Sequence, residues 1–198
     1  MSPQAARIIT VIAAFLAGLL AISVVLLLVV GRNPVQVATP SAIGGPFKLV
    51  DQNGQAVTED VLNGKPSLIF FGFTHCPDIC PTALFDMSEL YKALGSDGDK
   101  VSAFFVTVDP ERDTPEVMKE YLSSFDPRLR GLTGDPAAVA AMEKAYRVYS
   151  KKVPLDGGGY TMDHTALVYL MDKNGRFITP FNLKRKPEDA AADLKRYL

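Results

Sequence analysis

Tryptophan is absent from these 198 residues, and histidine and cysteine occur only twice each. Two cysteines cannot build a disulfide framework, so the fold must rest on a packed core. With 47% hydrophobic and 22% charged residues, the composition is that of an ordinary folded protein. The chain is long enough to bury such a core without staples. Net charge is −1 and no basic run is present, which leaves nucleic-acid binding without electrostatic support. No tryptophan, and no arginine close in sequence to the cysteines, is available to serve the reactive thiol of a peroxidase. No repeat or low-complexity tract interrupts the chain.

What is present is concentrated. Both cysteines, Cys76 and Cys80, fall in Phe70–Pro81, FFGFTHCPDICP. The apolar run Ser67–Phe73 leads in, and Pro81 and a helical pattern follow, which reads as strand, dithiol loop, helix. Sulfurs at i and i+4 lie on one side of a helical turn, with Cα atoms about 6 Å apart. That spacing allows a disulfide and equally allows one soft metal to be chelated by both sulfurs. As a staple the pair would close a tiny ring and constrain little of the unfolded chain. The carboxyl end of a central strand is where α/β sheets present their chemistry. Helix N-terminal amides there should depress the pKa of at least one thiol. Pro77 stiffens the loop, and Pro81 suits a first helical turn. Asp78 is the candidate N-cap, with tuning of the thiols as the alternative.

Only two histidines compete to be a third ligand. His75 adjoins Cys76, but neighbouring side chains tend to point apart, so it is expected as an exposed loop residue. His164 lies in YTMDHT, ahead of a buried strand. A lone histidine near a strand is usually structural, but the strand that His164 precedes is expected beside the dithiol strand. Two thiolates and an imidazole would give copper a trigonal set, thiolates suiting Cu(I) and imidazole helping to hold Cu(II). Zinc is an alternative for Cys₂His plus water. Pro154–Asp163 contains three consecutive glycines and is costly to order. His164 is therefore expected to be poorly fixed without metal.

Ile8–Val30 is uncharged and strongly apolar, flanked by Arg7 and Arg32. As a helix it would be about 35 Å long, enough to span a bilayer. It exceeds the apolar region of a secretory signal. A single uncleaved signal anchor is expected over residues 8–30, after a cytoplasmic stub (1–7) and before a Gly/Pro-containing linker (31–45) that holds the domain off the membrane. The soluble domain spans 46–198. Its expected elements are a hairpin (Phe47–Val50 and Gln55–Thr58 about Asp51–Gly54), a short turn capped by Thr58, and the strand Ser67–Phe73. A helix then uses Ala83, Leu84, Met87, Leu90, Tyr91 and Leu94 and ends at Gly95. The strand Val101–Asp109, a helix capped by Thr114-Pro115, the strand Leu129–Gly134 and a helix capped by Asp135-Pro136 follow. Val148–Val153, Thr165–Asp172 and Arg176–Phe181 read as strands, and Lys186–Leu198 as a C-terminal helix. This order implies an α/β fold with a partly parallel sheet, edged by antiparallel strands.

CPDIC preceded by GFTH, with VTVDPERDTP and YTMDHT in this order, resembles the SCO/SenC family over about residues 45–198 plus the anchor. The resemblance implies a thioredoxin-like fold, here with an N-terminal β-hairpin extension, and a membrane-anchored copper protein of cytochrome c oxidase assembly. It places copper ligands on Cys76, Cys80 and His164. Asp78 matches the acidic residue of the motif, and Asp109 matches an aspartate at a strand end. It implies delivery of copper to the CuA site of oxidase subunit II, with a copper donor and a thiol reductant as further partners. The setting is then an inner membrane with the domain in the periplasm or mitochondrial intermembrane space. The rival reading is a thiol–disulfide reductase that keeps the CuA-site cysteines reduced, Cys76 attacking and Cys80 resolving. Thioredoxins have CxxC and a facing cis-proline. Here the spacing is one residue longer, and His164-Thr165 stands without a proline.

Overall fold

Residues 3–32 and 43–198 are described by a computed structural model and fall into two units. The first is a helix, α1 (Pro3–Arg32). At 1.5 Å per residue it is about 45 Å long, and Arg7–Val25 within it is long and apolar enough to cross a bilayer. Residues 1–2 of the expected stub and 33–42 of the expected linker lie outside the described residues.

In the second unit, β1 (Lys48–Asp51) and β2 (Ala56–Thr58) form a hairpin. Three strand–helix pairs follow: β3 (Ser67–Gly72) with α2 (Ile79–Leu94), β4 (Ser102–Thr107) with α3 (Pro115–Leu122), and β5 (Leu129–Thr133) with α4 (Pro136–Ala145). Then come β6 (Ser150–Pro154), β7 (Tyr160–His164), β8 (Val168–Met171), β9 (Phe177–Phe181) and α5 (Pro187–Leu194). The main sheet runs β2-β1-β5-β4-β3-β8-β9, and β6-β7 form a separate two-stranded sheet. β3, β4 and β5 are parallel, while β1, β8 and β9 join antiparallel.

Local chemistry explains most of these elements. Every residue of β3 is buried, as a strand covered on both faces requires. Phe70 stacks on Phe105 of β4, which meets Tyr121 of α3, whereas Phe71 packs on Tyr146 at the end of α4. Successive side chains of β3 thus face opposite helical layers. Leu84, Met87, Leu90, Tyr91 and Leu94 bury one stripe of α2, and Gly95, with φ 59°, ends it. Thr114 Oγ1 accepts from Val117 N, and Asp135 accepts from Ala137 N and Ala138 N. Each cap is followed by proline at the start of its helix.

Three segments depart from expectation. Thr58 precedes a 3₁₀ turn, Glu59–Leu62, but makes no side-chain cap to it; its hydroxyl goes to Asp60 Oδ2 instead. Residues 160–163, expected inside a glycine-rich loop, form β7 together with His164, which pairs with Ser150. The loop shrinks to five residues in which Gly158 and Gly159 take positive φ, which glycine adopts at no steric cost. Residues 165–167 are irregular, and β8 begins only at Val168.

The sheet topology creates one functional end. β4 is parallel to β3, so its exit loop, residues 108–114, emerges beside the exit of β3. β8 is antiparallel to β3, with Val168 opposite Phe70, so the lead-in to β8 arrives at that same end. The dithiol loop, the 108–114 loop and His164 are therefore neighbours.

Candidate metal centre

Cys76 lies in the loop after β3, and Cys80 lies in the first turn of α2. Cys80 N donates to Cys76 Sγ at 3.4 Å, so the helix N-terminus already points at the other sulfur. His164 ends β7, and its Nε2 is 3.7 Å from Cys80 Sγ. One donor atom from each of the three residues lies within 4.8 Å of the others. Cys80 is buried and Cys76 half-buried, and both are free thiols.

The tautomer of His164 follows from its other nitrogen. Nδ1 is 3.0 Å from the Thr165 carbonyl, which can only accept, so Nδ1 donates. In the neutral ring this leaves the Nε2 lone pair facing Cys80. Phe73 meets the ring edge-on at 5.7 Å, and Phe70 meets it at 6.4 Å. His164 is thus placed by a strand and two aromatic walls.

Burial pushes the Cys80 thiol well above its ordinary range, although a backbone hydrogen bond at Phe73 pulls the other way. The depression expected of at least one thiol is thus not met at Cys80, because removing this sulfur from water disfavours its thiolate. A cation that takes the sulfur must displace its proton. Two sulfurs and one imidazole nitrogen within mutual reach suit a soft or borderline ion such as copper.

Asp78 occupies the N-cap position but does not cap. Its backbone sits at φ −139°, ψ −69°, and its side chain makes no cap bond. Capping needs an extended ψ to aim the carboxylate at the following amides. Asp78 is exposed, as is Asp163. His75 has a half-exposed ring whose Nδ1 is 3.1 Å from Thr74 Oγ1; it is not among the convergent donors. Met162 is buried in the core.

A family model described as SCO1/SenC matches residues 35–198. The chain belongs to the SCO1/SenC family. Over 155 residues it is 42% identical to the SCO2-like protein of Rickettsia felis, covering 77% of this chain and 76% of that one. The mixed α/β, thioredoxin-like fold matches solved Sco structures. Bradyrhizobium japonicum ScoI with copper bound is 69% identical, with 79% of this chain and 100% of that chain covered and a TM-score of 0.77. BsSco, a member of the Sco family of cytochrome c oxidase assembly proteins in which a disulfide switch was identified, is 26% identical. There the coverage is 76% of this chain and 90% of that chain, with a TM-score of 0.62.

Behind the donors of this SCO1/SenC member lies a polar layer that residue patterns reveal poorly. Asp113 is fully buried and accepts from Thr74 N at 3.1 Å, Thr74 Oγ1 at 2.6 Å and Thr107 Oγ1 at 2.7 Å. Burial raises its pKa, and these hydrogen bonds pull it back. Asp109, also buried, accepts from Tyr160 Oη at 2.8 Å and from Arg112 Nε. Of this layer the family resemblance points to Asp109 alone, and not to Asp113, Arg112 or Tyr160. The available signal was four charged residues directly after a buried strand, in DPERD.

Proposed function

We propose that this protein binds copper through Cys76, Cys80 and His164 and acts in cytochrome c oxidase assembly, delivering the ion to the CuA site of subunit II. The observation that carries the reading is the convergence of two sulfurs and an imidazole within 4.8 Å in a chain 69% identical to a copper-bound ScoI. Residues 8–30 of α1 serve as a membrane anchor, with residues 31–45 as the linker and the domain on the exported side. Anchoring would confine the domain to the surface where a membrane-bound acceptor sits and raise its effective concentration. Transfer proceeds by ligand exchange: acceptor thiolates replace the half-buried Cys76 first and the buried Cys80 last.

The unequal burial of the two cysteines favours a second activity of the same site. An accessible Cys76 as nucleophile and a shielded Cys80 as resolving thiol is the division of labour of a dithiol reductant. His164 separates the readings. Titrating the reduced domain with copper should give one ion per chain, with sulfur charge-transfer absorption for Cu(II). His164→Ala should weaken binding and change the spectrum while leaving thiol–disulfide exchange intact. Copper affinity and spectrum unaltered by His164→Ala would remove the ligand assignment.

A further inference from the structure

We propose that Arg112, with Asp109 and Tyr160, forms a clamp that positions His164 for metal; the inference rests on the copper reading above. β7 carries His164, yet among the described residues β6 and β7 pair only with each other, and β6 is largely exposed. The position of the imidazole relative to the sulfurs therefore depends on whatever ties this hairpin down.

The ties gather on Tyr160, which shares a face of β7 with Met162 and His164. Tyr160 Oη donates to Asp109 Oδ1 at 2.8 Å. Arg112 Nη1 donates to the Tyr160 carbonyl at 3.0 Å. The Arg112 guanidinium lies 3.9 Å over the Tyr160 ring, and its Nε donates to Asp109. Lys152 of β6 adds an ion pair to Glu111 at 2.6 Å. The same guanidinium lies 5.9 Å from the Phe73 ring, the ring that meets His164 edge-on. Arg112 thus holds the start of β7 and backs the aromatic wall at its end. Its Nη2 is buried without a hydrogen-bond partner among the described residues. An unpaired buried donor is costly, so the group is kept in place by Asp109, Tyr160 and the rings.

The loop that carries the clamp also holds the other half of the site. Its Asp113 binds Thr74, two positions before Cys76. Residues 109–113 therefore couple the imidazole strand to the dithiol loop, and Arg112 is a positioning residue that acts through His164.

The test compares wild type with Arg112→Met, Tyr160→Phe, His164→Ala and the double variant Arg112→Met/His164→Ala. The readouts are Cu(II) affinity, nitrogen hyperfine coupling in the EPR spectrum and, in metal-free protein, amide exchange at residues 161–164. Arg112→Met should weaken copper binding about tenfold, the scale of losing an outer partner of a ligand. It should also reduce the nitrogen coupling and speed amide exchange at 161–164. In the His164→Ala background it should cost nothing more. Tyr160→Phe, which removes one hydroxyl and keeps the ring, should shift all three readouts less and in the same direction; it carries the test if Arg112→Met does not fold. Additive losses in the double variant, or unchanged exchange at 161–164, would overturn the clamp. A wild type whose copper binding ignores His164 would instead sink the copper reading and leave the metal-free exchange result to judge the clamp alone.

Discussion

Replacing Gly72 by alanine puts a methyl group where the site has no room. A Cβ built there would lie 2.6 Å from Phe105 Cε2, 2.8 Å from Cys80 Sγ and 3.2 Å from Phe70 Cε1. Ordinary contact begins at 3.4 Å, so the sulfur must retreat by about 0.6 Å and the Phe105 edge by about 0.8 Å. Phe105 is fully buried and stacked on Phe70, so it cannot yield cheaply. Overpacking of this kind costs about 1–3 kcal/mol, offset by at most ~1 kcal/mol from the stiffer unfolded chain. With a urea slope of about 2 kcal/mol/M, a net loss of 1–2 kcal/mol lowers the midpoint by roughly 0.5–1 M. The effect on the site is sharper. Metal–ligand distances tolerate about 0.2 Å, so moving one of three donors by three times that should weaken copper binding by at least about tenfold. Urea unfolding of the metal-free domain and competitive copper titration measure the two effects separately. A lowered midpoint with wild-type copper affinity would show that Cys80 has slack and that its sulfur is not a closely held ligand. An unchanged midpoint would refute the packing itself.

Two further outcomes follow from buried titratable groups. The folded state holds the Cys80 proton above pH 9.0, the thiol's ordinary value, where the unfolded chain releases it. Stability of the reduced, metal-free domain should therefore fall as pH rises through that value, while apparent copper affinity should rise with pH because the ion displaces the same proton. Urea midpoints and copper titrations across pH check the two opposite slopes, and a flat copper profile would contradict ligation by a thiol that must first give up its proton. Asp113→Ala strips the acceptor from Thr74 N and from two hydroxyls, costing roughly 1–3 kcal/mol and freeing the loop that leads to Cys76. Alkylation of Cys76 should accelerate, and Asp113→Asn, which keeps one acceptor oxygen, should do less; equal rates in all three proteins would show that Asp113 does not hold the dithiol loop.

Features that depend on close neighbours in the chain were legible. The uninterrupted burial of β3, the stripe of α2 and the caps at Thr114 and Asp135 each arise from residues within a few positions of one another. Where a local signal competed with backbone geometry it misled. Asp78 is a good N-cap residue type, but its ψ of −69° turns the carboxylate away. The glycines at 157–159 read as the core of a long loop and hid the alternation of Tyr160, Met162 and His164 that makes β7. The polar layer was hidden for another reason. DPERD reads as a solvated turn, and the burial of Asp109 and Asp113 is made tolerable by Tyr160 and Thr74, 51 and 39 residues away.

The donor set itself turns on strand direction. Cys76 and Cys80 follow β3, so whichever residues reach the carboxyl end of β3 complete the site. Because β8 runs antiparallel to β3, the segment delivered there is the one that precedes β8, which contains His164. Had β8 been parallel, its far end would have arrived instead, bringing the turn at Asp172–Arg176 and no imidazole. Placing His164 within 3.7 Å of Cys80 is thus a consequence of one antiparallel pairing. No spacing of motifs encodes that pairing directly; the buried strand after His164 suggests a place beside the dithiol strand, and the resemblance to SCO/SenC proteins adds the ligand assignment.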